Sequence, residues 1–137
     1  MIPVSNHQKI WALPAGTVIR VNCGFYDHVA LLSDRWIGGE RGVLSFSAQS
    51  CGLVEQCIST FAAARPVTVD GYLGGLPPGT VMQRARLKQV QGYSWTKFNC
   101  EHFVRYAHGV PVESPQLQQW AFLGSAFGFL ALLSAKA

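Results

Sequence analysis

Apolar and polar positions alternate with a period of two through the first half of the chain, the signature of half-buried strands. Thr17 to Asn22 alternates behind a Pro-Ala-Gly turn and predicts a strand. His28 to Ser33 is more continuously apolar, as expected of a strand covered on both faces. Ser33-Asp34-Arg35 has turn composition, and Val43 to Phe46 predicts the next strand. From Leu53 to Ala64 the period changes. Val54, Cys57, Ile58 and Phe61 fall on one helical face, which predicts a helix with Cys57 in the core. Val67 to Val69 is a short strand closed by Asp70-Gly71, and Thr80 is the expected cap of a helix running through Arg86 and Lys88.

The last clear helix begins at Asn99. Cys100, Phe103, Val104 and Ala107 recur at helical spacing, Gly109 supplies a stop and Pro111 prevents continuation. Strands, helix, strand and two helices in this order predict an α+β domain, a small antiparallel sheet with packed helices. This domain is expected to occupy residues 1–110. Residues 111–137 then form a linker and an apolar C-terminal helix. From Trp120 to Ala135 no residue is charged. The segment falls somewhat short of the ~20 residues of a membrane span, and its Gly124-x-x-x-Gly128 spacing suits close helix contact in a bilayer, in a core or in a homo-oligomer.

The chain has 137 residues, enough for one real core. Charged residues make up only 13% of it, and the mean hydropathy is +0.18. Both lean toward a hydrophobic surface or a membrane contact. The net charge of +4 is scattered, with a mild cluster at Arg84, Arg86, Lys88, Lys97 and Arg105 that suits an anionic lipid surface. No nucleic-acid motif accompanies it, so no nucleic-acid partner is expected. The four cysteines show neither zinc spacing nor a dense disulfide framework. No metal or cofactor is expected, and a reduced, cytoplasmic setting follows. The start MIPVSNHQKIWALP lacks the continuous apolar core of a signal peptide.

Cys100 stands directly behind the Asn99 cap, where free amides and the helix dipole favour a thiolate. A cysteine beginning a buried helix face is the plain alternative. A nucleophilic thiol needs a base. His7 lies in a polar terminal stretch, His102 points away from Cys100 on the same helix, and His108 is two turns distant. His28, opening an apolar strand, is the remaining candidate.

Asn99-Cys100-Glu101-His102-Phe103-Val104, preceded by the strand histidine of Tyr26-Asp27-His28-Val29-Ala30-Leu31-Leu32, resembles the lecithin:retinol acyltransferase family. The resemblance runs from about Leu13 to Gly109. It implies a circularly permuted papain-like fold of the NlpC type, in which histidine precedes cysteine along the chain. Carried over, Cys100 matches the nucleophile and His28 the general base. The family places a second polar residue, often histidine, on the next strand. Here Ser45 stands at that position, with Glu40 selected by ungapped counting. The resemblance implies acyl transfer or hydrolysis through a cysteine thioester, with phospholipid or another acyl lipid as substrate and the apolar tail at a membrane. A cysteine amidase or peptidase of the same fold, and a catalytically weak lipid-binding module, are the competing readings.

Overall fold

A computed structural model describes residues 10–92 and 99–111. Five antiparallel strands form one sheet: β1 (Val18–Asn22), β2 (Asp27–Ile37), β3 (Glu40–Ser47), β4 (Gly52–Cys57) and β5 (Val67–Gly71). Their spatial order is β4-β3-β2-β1-β5. The helices that lie wholly within the described residues are α1 (Ile58–Ala62), α2 (Pro78–Arg86) and α3 (Cys100–His108), with a 3-10 turn at Leu87–Val90. The α+β class and the small antiparallel sheet are as expected.

β2 lies at the centre of the sheet and is apolar on both faces, which accounts for its continuous hydrophobic run. Val29 and Leu31 join Leu44 and Phe46 on one face, beneath Val81, Met82 and Ala85 of α2 and Phe103, Val104 and Ala107 of α3. Ala30 and Leu32 point the other way, with Val43, beneath Ile58, Phe61 and Ala62 of α1 and the N-terminal Ile10. Each large apolar side chain buried in these layers contributes roughly 2 kcal/mol.

Ser33-Asp34-Arg35 is not the reversal. β2 runs through it to Ile37, with a register shift between Leu32 and Trp36. The Ser33 hydroxyl accepts the Arg35 amide at 3.0 Å, so these polar residues form an irregularity inside the strand. The chain turns at Gly38-Gly39, both with positive φ, a pair that glycine adopts without a Cβ clash.

The expected helix from Leu53 to Ala64 divides into two elements. Residues 52–57 pair with β3 as β4, Val54 opposite Ser45 and Glu55 opposite Leu44, and only Ile58–Ala62 is helical. Val54, Cys57, Ile58 and Phe61 satisfy helical spacing, but the free edge of β3 offers a backbone ladder that outweighs it. Cys57 is consequently half-exposed at the start of α1 rather than in the core. α2 starts at Pro78 behind Pro77, placing Thr80 within its first turn instead of at the cap.

Arg41 is buried, with its Nε donating to Ser33 O at 2.8 Å and its Nη1 to Ile10 O, Trp11 O and Leu13 O at 3.1, 3.2 and 2.8 Å. This guanidinium clamps the N-terminal turn onto β2 and β3. Among the described residues no helix is long and apolar enough to cross a membrane, and the segment from Trp120 to Ala135 lies outside them.

Candidate active site

α3 begins with a complete reciprocal cap. Asn99 Oδ1 accepts the amides of Glu101 and His102 at 3.0 and 3.1 Å, and the Asn99 amide donates to His102 Nδ1 at 3.1 Å. Three of the backbone donors at the helix start are thereby satisfied inside the protein, and Glu101 and His102 are buried with it. His102 is a capping residue. His108 is spoken for as well, its Nε2 lying 2.6 Å from Gly16 O. His7 lies outside the described residues.

The cap delivers Cys100 to a particular gap in the sheet. The Tyr26 carbonyl accepts the Cys23 amide at 2.8 Å, so this part of the hairpin turns Tyr26 toward β1. By strand alternation, Asp27 O and the Val29 N–H turn toward the opposite side, and there the β2–β3 ladder begins only at Ala30 and Ser45. The Cys100 sulfur occupies this opening. The sulfur lies 3.9 Å from Asp27 O, to which its S–H donates, and the Val29 N–H points to the sulfur. The nucleophile candidate thus sits at the backbone on either side of His28.

The His28 ring leaves the sheet on the α1 face. It rests on Phe61, centroids 5.1 Å apart and planes inclined by 31°, with Tyr26 edge-on at 6.5 Å. Cys100 belongs to the α2–α3 layer, so the two side chains depart from opposite faces and share no hydrogen bond. The expectation that sulfur and imidazole face each other across one cleft is not met, and side chains on opposite faces of the sheet count against a Cys–His catalytic pair. Ser45 is fully buried, and its hydroxyl has no partner among the described residues. It lies on the His28 face, opposite Ala30, without bonding the ring. Glu40 is engaged elsewhere, its carboxylate accepting the Ser59 amide at 3.1 Å and the Ser59 hydroxyl at 2.8 Å to cap α1.

Electrostatics here run against expectation. Burial pushes the Cys100 thiol up to about 11, and the Val29, Glu101 and Cys100 amides that favour the thiolate recover only part of the loss. Desolvation therefore overrides the helix N-terminus. Burial also pushes His28 down to about 4. At neutral pH the pair is a thiol and a neutral imidazole. The lowered thiol is instead Cys57, favoured as thiolate by the hydroxyls of Thr60, at 3.0 Å, and Ser59, at 3.5 Å.

All four cysteines are free. The described residues contain no cluster of side chains able to hold a metal ion. His28 also lines a cleft of about 380 Å³ with Tyr26, Ser47, Gln56, Thr60 and Arg65. Of these neighbours only Tyr26 belongs to a motif stretch the sequence singled out. They come from two hairpins and the far end of α1, brought together only by the sheet. Comparison with family models and with curated proteins finds no match to this chain.

Proposed function

We propose that this chain is a thiol-dependent acyltransferase or acyl hydrolase of the lecithin:retinol acyltransferase type, with a permuted papain-like fold, acting on phospholipid or another acyl lipid at a membrane surface. The observation that carries the reading is the seating of the Cys100 sulfur, at the capped start of α3, beside the backbone of His28.

The neutral pair defines the mechanism. Cys100 does not wait as a thiolate; His28 removes its proton as the sulfur attacks the ester carbonyl. This step needs the imidazole, which leaves the opposite face of β2 and rests on Phe61, to come off that ring and reach the sulfur. The S–C bond forms as the carbonyl oxygen gains charge, and a backbone N–H at the helix start, that of Cys100, is the donor this reading assigns to it. Collapse expels the alcohol, protonated by His28, and leaves the acyl group on sulfur. Water or a second acceptor then reverses the proton path. Ser45, whose hydroxyl on the His28 face has no partner among the described residues, is suited to hold the turned ring, but it supplies no charge to stabilise an imidazolium.

A weak or inactive lipid-binding module is the second reading. It is favoured by the absent sulfur–imidazole hydrogen bond. Intact-mass measurement after incubation with mixed phospholipid vesicles separates the two. The enzyme reading expects an acyl adduct on Cys100, absent in Cys100→Ser, and an acyl-release rate about 10²–10⁴-fold lower in His28→Ala. Acyl release by Cys100→Ser at the wild-type rate defeats it.

A further inference from the structure

α2 buries Val81, Met82 and Ala85 toward the sheet, and Arg84, Leu87 and Lys88 follow one another at i, i+3 and i+4 on its outer side. Leu87 is 65% exposed. The two cations sit over the half-buried ring of Tyr106 from α3, 4.6 and 4.1 Å from its centroid. Arg84 Nε and Nη2 donate to Tyr106 O at 3.0 and 2.8 Å, and its Nη1 bonds nothing among the described residues. The described carboxylates are gathered elsewhere. Arg86 holds Asp34 and Glu55, and Arg20 holds Asp27 and Asp70. Glu40 caps α1, and Glu101 is buried one turn before Arg105, so Arg105 adds little net charge. The basic cluster read from the sequence is thereby divided: Arg86 is neutralised, Lys97 lies outside the described residues, and Arg84 and Lys88 are the cations of this face. The chain also leaves α3 here. Tyr106 O, bonded by Arg84, accepts the Gly109 amide at 3.0 Å, so the route to the uncharged run from Trp120 to Ala135 starts beside the Arg84 guanidinium.

We infer that this face lies on a bilayer containing anionic phospholipid, with Arg84 and Lys88 at the headgroups and Leu87 entering the apolar boundary between them. The membrane as partner rests on the reading above; the choice of face and of anionic lipid does not depend on any thioester. Charge complementarity favours it, since a cation brought to an anionic surface strengthens binding about fivefold. Apolar stems with charged heads, and a tyrosine ring between them, suit headgroup depth. A short apolar segment alone binds a membrane weakly, and a cationic patch beside its point of departure supplies the second signal that stable attachment requires. A protein partner is a poorer fit, because one exposed leucine falls far short of the apolar centre of an interface of about 800 Å² per side. Cys100 stands about 9 Å along α3 from Tyr106, so a chain resting on this face keeps its candidate nucleophile close to the source of acyl lipid.

The test is flotation of the full-length chain with vesicles of phosphatidylcholine alone or of phosphatidylcholine and phosphatidylserine in equal parts. Wild type should bind the anionic vesicles at least about tenfold more tightly, and the difference should shrink as salt is raised. Lys88→Gln should weaken binding to the anionic vesicles about fivefold and leave binding to phosphatidylcholine unchanged. Leu87→Ser should weaken binding to both compositions by at least about fivefold. Leu87 is exposed and Lys88 bonds only the side chain of Gln91 and the face of Tyr106 in the contacts described, so both variants keep the fold, which circular dichroism verifies. Arg65→Gln makes the same change of charge at an exposed position on the α1 side and should alter binding less than about twofold. A wild type without preference for phosphatidylserine overturns the inference. Equal losses in Lys88→Gln and Arg65→Gln overturn it as well, because net charge rather than this face would then be responsible. The acyl-adduct measurement above is read separately: an adduct on Cys100 with no lipid preference sinks the face alone, and the expected flotation pattern without any adduct sinks the thioester reading alone.

Discussion

Lowering the pH tests the buried imidazole of His28 directly. Its folded-state pKa lies at about 4, pushed down from the usual 6.5 by burial against Phe61. Between these values the unfolded chain binds a proton that the folded chain refuses. Stability therefore rises with pH through that window: the contribution is fully present above about 6.5 and lost as the pH falls toward 4. At about pH 4.5 the loss from this one ring comes to about 2.5 kcal/mol, approaching about 3 kcal/mol at lower pH. Burial lowers His102 and His108 in the same direction, so the wild-type pH dependence contains all three rings. His28→Gln isolates one of them. Urea unfolding at about pH 7.5 and about pH 4.5 should show wild type losing about 2.5 kcal/mol more than the variant does between the two conditions. Equal losses in both proteins would refute the burial argument. They would also remove the reason to treat His28 as a neutral base, and with it the general-base step.

Thiol labelling with iodoacetamide at about pH 8 should modify Cys57 well before Cys100, because hydroxyl donors favour the Cys57 thiolate and burial disfavours the other; mass mapping that finds Cys100 labelled first counts against the assignment. Asn99→Ala removes the acceptor of two helix-start amides and should cost about 1–2 kcal/mol in urea unfolding. It should also reduce any acyl-adduct yield by loosening the seat of Cys100, and a variant of undiminished stability would show the cap to be dispensable. Deletion after Gln119 should abolish flotation with liposomes while the circular dichroism of the sheet persists, since the strands and α3 are complete by Gly109. Equal flotation would assign lipid contact to the basic domain surface, and unfolding would assign the tail to the core.

How much of this was legible beforehand differs by element. α3 was readable to its ends, because its cap, its apolar stripe and its stopping glycine are all local. β1 and the apolar half of β2 were equally plain, and so was the α+β class, since the change of period from two to helical spacing is written in neighbouring residues. Local signals misled where a distant partner decided the outcome. The helical spacing of residues 53–57 gave way to the open edge of β3, and the turn composition of Ser33-Asp34-Arg35 was absorbed as an irregularity in β2 once Gly38-Gly39 took the reversal.

The same division runs through the site. Its candidate nucleophile and candidate base were singled out by short-range chemistry: a cysteine behind a helix cap and a histidine on an apolar strand. Their protonation states were not, because the dipole that favours a thiolate is a property of the helix, whereas the desolvation that opposes it comes from the layer packed around it. Nor did any local pattern place Arg65 beside His28 or leave the Ser45 hydroxyl without a partner among the described residues. Side-chain identity and local spacing determine which groups are capable of chemistry. Which face of β2 each group occupies, what it touches and how far water is excluded from it are set by contacts between residues remote in the chain, and those exist only once the sheet has formed.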